Sequence, residues 1–157
     1  MSNPTTAERT SERELLVTRT FDAPARIVFE AWTKAELFRL WWPPKSLGMV
    51  LQSCEMDVRV GGGYRLEFGP DAANTMAFFG TYTEVIPPSR MVWTNDESED
   101  GPVTTVTFEE KDGKTLVTLH ELHPSKAALD ANIGAADALP EQFGQLDALL
   151  AAQGATA

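Results

Sequence analysis

Gly80-Thr81-Tyr82-Thr83-Glu84-Val85-Ile86-Pro87-Pro88-Ser89-Arg90-Met91-Val92-Trp93-Thr94 is the stretch whose reading settles the fold class. β-Branched and aromatic residues crowd both ends, and two prolines with a serine interrupt the middle, so it reads as two strands joined by a turn. Proline lacks the amide proton that a central strand must donate, which fixes the break at Pro87-Pro88. The same pattern extends on both sides. Strands are predicted over 49–60, 64–68, 76–86, 90–95, 103–110 and 116–122. Between them lie Gly61-Gly62-Gly63, Gly69-Pro70-Asp71, Pro87-Pro88-Ser89, an acidic segment over 96–101 and Lys111-Asp112-Gly113-Lys114, whose Asp-Gly suits a turn with positive φ. Connections this short join sequential neighbours as antiparallel hairpins, whereas parallel pairing would need helices between the strands.

Upstream, Leu15 to Phe21 alternates until Asp22-Ala23-Pro24 stops it, predicting a first strand. Asp22 is a candidate cap for the next helix, and Pro24 suits a first helical turn, where no N–H is needed. Ile27, Val28, Ala31 and Trp32 recur at spacings of three and four, giving a helix over 24–33 with Arg26, Glu30 and Lys34 in water. A second short helix over 35–41 carries Leu37, Leu40 and Trp41 and ends before Pro43-Pro44. Downstream, Ser125 caps a helix over 126–133, Gly134-Ala135-Ala136 interrupts it, and Asp137 caps a longer helix with Pro140 in its first turn. Leu139, Phe143, Leu146, Leu149 and Leu150 make one apolar stripe, opposite a wet face of Glu141, Gln142, Gln145 and Asp147. Such a stripe must bury against the sheet. The expected architecture is therefore α+β: a curved antiparallel sheet of about seven strands, two short helices after the first strand, and a long C-terminal helix across the sheet face.

The chain has 157 residues, 13 Lys plus Arg against 23 Asp plus Glu, a net charge of -10 and one cysteine. That length fits one domain able to bury about two-thirds of its unfolded surface without disulfides or a structural metal. A polyphosphate partner is not expected, because nucleic-acid binding needs a basic footprint. Residues 1–13 are polar, lack the apolar run of a signal peptide or membrane span, and are expected to form a disordered tail ahead of a domain over 14–153. The single Cys54 permits a reducing compartment, so the protein is expected in the cytoplasm, without membrane insertion.

Motifs that could carry chemistry are weak. His120 and His123 point to opposite faces if both lie on a strand, and one Cys with two His cannot build the usual zinc sets, so no metal is expected. The acidic segment imitates the start of a calcium loop, but Thr107 stands where the bidentate Glu belongs. Gly61-Gly62-Gly63 lacks the third glycine of a dinucleotide loop and reads as a bend or bulge, so no cofactor is expected. Cys54 has no evident His partner, and no catalytic residue is assigned. Glu55, Asp57 and Arg59 share one strand parity and read as an outer-face set, leaving Met56, Val58 and Val60 for the core. Parity also groups Val117, Leu119 and Glu121, then Val106 and Phe108, then Met91 and Trp93. If those apolar sets face the helix, Glu121 goes inside with them, where a carboxylate is costly unless paired; otherwise it reaches solvent at the strand end. A sheet curled round one helix leaves a pocket, for which Trp41, Phe78, Tyr82, Trp93, Phe108, Leu119, Glu121, Phe143 and Leu146 are the candidate lining.

Four ordered matches make the chain resemble a known family. They are Phe21-Asp22-Ala23-Pro24 with Val28-Phe29-Glu30-Ala31-Trp32-Thr33, then Leu40-Trp41-Trp42-Pro43-Pro44, then Asp57-Val58-Arg59-Val60-Gly61-Gly62, then the hairpin over 80–94. Together they resemble the START-like (SRPBCC) superfamily, and within it domains similar to the C-terminal part of the activator of heat-shock protein ATPase. The resemblance implies a helix-grip fold whose cavity takes lipids, polyketides, hormones or other small apolar molecules. Relatives are binding proteins, cyclases and chaperone partners, so three functions stand as expectations. The first is binding of a small hydrophobic molecule; the second is a cyclase or hydrolase using Glu121 or Tyr82; the third is an interaction protein for a chaperone. A homodimer through the outer sheet face is a further candidate. Ala35 stands where relatives often have Pro, and Phe143 near where many have a Gly-Trp pair.

Overall fold

The computed structural model describes residues 5–43, 46, 48, 50–71, 73–96, 101–136 and 139–152. Strands Thr6–Arg9 (β1) and Glu14–Phe21 (β2) precede helices Ala25–Thr33 (α1) and Ala35–Trp41 (α2). Strands Val50–Met56 (β3), Gly63–Asp71 (β4), Asn74–Ile86 (β5), Arg90–Thr94 (β6), Val103–Lys111 (β7) and Lys114–Leu122 (β8) come next. Helices Lys126–Ala136 (α3) and Leu139–Ala152 (α4) complete the order. The sheet runs β1-β2-β8-β7-β6-β5-β4-β3, antiparallel throughout. β3 to β8 are sequential hairpins, as their short turns require, and α1 and α2 carry the chain from β2 to the far edge of the sheet.

The eighth strand, Thr6–Arg9, lies within the segment expected to be disordered and corrects that expectation for those four residues. Thr6 to Arg9 pairs with Thr18 to Leu15. Without it the β2 edge would be open, and polar side chains hold the addition in place. The Thr6 and Thr18 hydroxyls hydrogen-bond, Arg19 donates to the Thr5 hydroxyl at 3.1 Å, and Arg9 reaches Asp130 of α3 at 2.8 Å. All four residues of β1 stay exposed, so no hydrophobic alternation could have revealed it.

A second correction concerns residues 57–60. β3 stops at Met56, and the chain turns: the Asp57 N–H donates to Gly63 O at 2.9 Å and the Gly62 N–H to Arg59 O at 2.8 Å. Gly61 has φ 85°, and a Cβ on Gly62 would lie 2.1 Å from the Asp57 carbonyl oxygen, so both glycines are needed here. Parity arguments lapse once the strand ends. Val60, expected in the core, is 63% exposed, and Asp57 and Arg59 form a surface ion pair at 2.9 Å.

The helices also differ in detail. α1 begins at Ala25, whose N–H donates to Glu110 of β7 at 2.7 Å, while Asp22 faces Lys114 at 3.3 Å. Ala35 opens α2 directly. Ser125 caps α3 through the Ala128 N–H at 3.1 Å, and the helix runs on through Gly134-Ala135-Ala136 instead of breaking. The expected cap Asp137 lies outside the described residues. α4 departs most from its reading. Gln142 is buried and donates to Trp42 O at 2.6 Å, and Gln145 donates to Trp41 O at 2.7 Å and Pro43 O at 2.9 Å. The supposed wet face thus satisfies carbonyls left over at the end of α2, which have no partner within their own helix. Asp147 faces Arg19 of β2 at 3.0 Å.

The core gathers on Trp32 of α1. Its ring lies 4.8 Å from Trp41, 6.0 Å from Phe108, 6.1 Å from Phe143 and 6.1 Å from Trp93, measured between centroids. One residue therefore joins α1, α2, α4, β6 and β7. Trp32→Ala should lower stability by about 3–5 kcal/mol, the usual range for emptying a large buried aromatic position. Urea unfolding followed by circular dichroism reads this, and a loss below about 1 kcal/mol would show that the surrounding rings collapse into the space.

Candidate functional site

Cross-strand register sets the inner face of the sheet. Met91, Val106, Leu119 and Val17 stand opposite one another in turn across β6, β7, β8 and β2, and Trp93, Thr104, Glu121 and Leu15 form the next row. Leu119 and Val17 are buried beneath the helices, so Glu121 shares the helix-facing side with the apolar set. The nine candidate residues nevertheless divide into two groups.

Trp41, Tyr82, Phe108, Leu119, Phe143 and Leu146 are all buried. Trp32 and Phe143 occupy the space that these side chains were expected to surround, with Phe143 also 5.8 Å from Phe21. They are packing residues. An apolar stripe on a helix looks the same in sequence whether it meets another side chain or a guest.

Phe78 and Trp93 are only partly buried, with Tyr64, Cys54 and Met56 beside them at the β3 to β6 end, and Glu121, two strands from Trp93 on β8, is partly buried as well. Tyr64 lies 6.5 Å from Trp93 and 5.7 Å from Tyr82, and Phe78 lies 5.4 Å from Phe68. Tyr64 was missed by sequence reasoning, although a signal existed. It pairs with Gly80, where a Cβ would sit 1.8 Å from Thr94 O, and the tyrosine hydroxyl donates to that same carbonyl at 2.8 Å. An aromatic ring laid across a strand glycine is a known way of completing a sheet surface.

The ionisable groups have distinct roles. Tyr82 is buried, and burial pushes its phenol well above the ordinary 10.0, with Cys54 and Asp57 adding to the effect. It stays protonated at neutral pH and is neither a base nor an acid that readily gives up its proton. Burial likewise raises the Cys54 thiol, against the nearby Arg39, so this sulfur is a poor nucleophile. His120 faces Glu14 at 3.0 Å, while His123, fully buried, sits 3.1 Å from Glu121. The two imidazoles do not converge. Residues 97–100 of the acidic segment lie outside the described residues.

A concavity lies between α2 and α4. It is an open groove of about 520 Å³ lined by Leu40, Glu141, Gly144, Gln145, Ala148 and Leu149. The Ser46 hydroxyl and backbone N–H bind Glu141 and hold its carboxyl below the usual range.

A curved antiparallel sheet folded against a C-terminal helix, with two short helices after the β2 strand, defines a helix-grip domain. Solved structures share this fold. A protein of Nitrosomonas europaea is 19% identical with a TM-score of 0.84, covering 93% of this chain and 99% of its own. One from Staphylococcus epidermidis is 26% identical with a TM-score of 0.79 and covers 94% of each chain. An AHSA1-like protein from Aeromonas hydrophila is 19% identical with a TM-score of 0.67, covering 88% of this chain and 94% of its own. No curated protein matches the sequence. The chain belongs to the family described as Activator of Hsp90 ATPase homolog 1-like protein, whose model matches residues 22–151. Among the described residues, no helix is long and apolar enough to cross a membrane.

The raised Tyr82 pKa has a testable consequence. Between the unfolded value and the higher folded one, the unfolded chain binds fewer protons, so stability falls as pH rises through that interval. Above about pH 10, Tyr82→Phe should lose less stability with pH than the parent does. Urea midpoints at a series of alkaline pH values check this, and parallel profiles for the two proteins would refute it.

Proposed function

We propose that this domain binds a small apolar molecule on the inner face of the sheet at its β3 to β6 end, between sheet and C-terminal helix. The observation that carries the reading is the contrast in burial along one continuous apolar surface. Trp41, Phe108 and Phe143, packed around Trp32, are closed off, whereas Phe78, Trp93 and Tyr64 are only partly buried on the same side. Flat aromatic faces beside a few polar groups are what a preformed small-molecule site offers. The raised Tyr82 and Cys54 argue against a nucleophile or base on this patch, and therefore favour binding over turnover. A single cysteine with no disulfide to maintain suits work in the cytoplasm.

Equilibrium dialysis with 2-methoxynaphthalene, an uncharged bicyclic probe, tests the site. Binding should be saturable, and Trp93→Ala should weaken it about tenfold, the loss expected on removing one stacked ring. Leu40→Ser, which alters the groove between α2 and α4, should leave it unchanged. The opposite pattern would move the site to that groove, and no saturable binding would overturn the reading.

A further inference from the structure

We infer that Glu121 and His123 form the polar end of this site and select a guest that carries a neutral or cationic hydrogen-bond donor, such as a phenol or alcohol. The inference rests on the binding function proposed above. Register places Glu121 in the same row as Trp93, with the buried Thr104 between them, about two strand spacings or roughly 10 Å away, so a guest touching both lies over what covers Thr104 and not on Thr104 itself. That separation matches a guest stacked on the indole and held by a polar group at its other end.

The geometry distinguishes the two partners. The Glu121 side chain is 24% exposed and that of His123 is 0% exposed, so the carboxylate can be reached and the imidazole stands behind it. The backbone N–H of His123 donates to Arg13 O at 2.8 Å, anchoring the residue just beyond the end of β8. His123 Nδ1 is buried with no partner among the described residues, so the ring proton belongs on Nε2, where Glu121 Oε1 accepts it at 3.1 Å. A carboxylate can accept several hydrogen bonds, and His123 occupies one oxygen only. The other has no donor among the described residues and is left for the guest. His123 is thus a positioning residue, fixing the rotamer of the group that touches the ligand. A carboxylate or phosphate headgroup would meet like charge here, in a chain already at -10, so an anionic guest is disfavoured.

The test compares 2-naphthol with 2-methoxynaphthalene, which differ in the donor alone, by equilibrium dialysis on the full chain. The parent protein should prefer 2-naphthol by about 10-fold or more, as expected for a hydrogen bond to a charged acceptor. Glu121→Met should abolish the preference while binding of the methoxy compound persists. His123→Phe should reduce the preference, and His123→Gln, which keeps a side-chain N–H for Glu121, should restore part of it. Equal affinity of the parent for both probes, with Trp93-dependent binding intact, would overturn this inference and leave the binding function standing. Should His123→Phe not fold, the Glu121→Met comparison decides alone: an unchanged preference overturns the inference.

Discussion

The burial of Trp32 is the constraint on which the rest of this structure depends. A sheet of this curvature leaves more interior than one helix can fill, and close packing does not tolerate the remainder as empty space. The chain meets that demand by driving a large ring from α1 into the middle, where it meets rings from α2, α4, β6 and β7. One part of the concave face becomes solid core as a result. On the same face Phe78, Trp93 and Tyr64 stay only partly buried.

Polar groups then fix how the helices lie on that core. Gln142 and Gln145 take up carbonyls at the end of α2, and Asp147 meets the largely buried Arg19. Hydrophobic contact is non-directional and would allow α4 to slide or rotate. Directional bonds to backbone carbonyls do not, and removing one member of such a set leaves the other desolvated and unpaired.

Much of the fold was legible in the sequence, for a physical reason: period two survives wherever one face of a strand is buried. Leu15, Val17, Arg19 and Phe21 are the buried set of β2, as their alternation implies. The same parity grouped Met91 with Trp93 and Leu119 with Glu121. The failures occur where that signal vanishes. β1 has no buried face, 57–60 has left the strand, and the helix-interior glycine at 134 looked like a break. The candidate site was legible only in part. Trp93 and Glu121 follow from parity, but His123 was weighed only with His120 as a metal ligand, and its pairing depends on a side-chain contact two residues away. Nor does composition reveal that Phe143 and Leu146 would be filled over while Phe78 stayed open, because that outcome depends on where Trp32 points.

The pairing of β2 with β8 ties residue 14 to residue 122. During synthesis β2 must wait for nearly the whole domain before its ladder partner β8 leaves the ribosome. β3 to β8 can zip up locally in the meantime, but the grip on α4 cannot close, since Arg19 and Asp147 stand at the two ends of that wait. Non-local closure of this kind slows folding and keeps apolar strand faces uncovered for longer. The net charge of -10, which contributes nothing to recognising an apolar guest, is well suited to keeping such nascent chains apart.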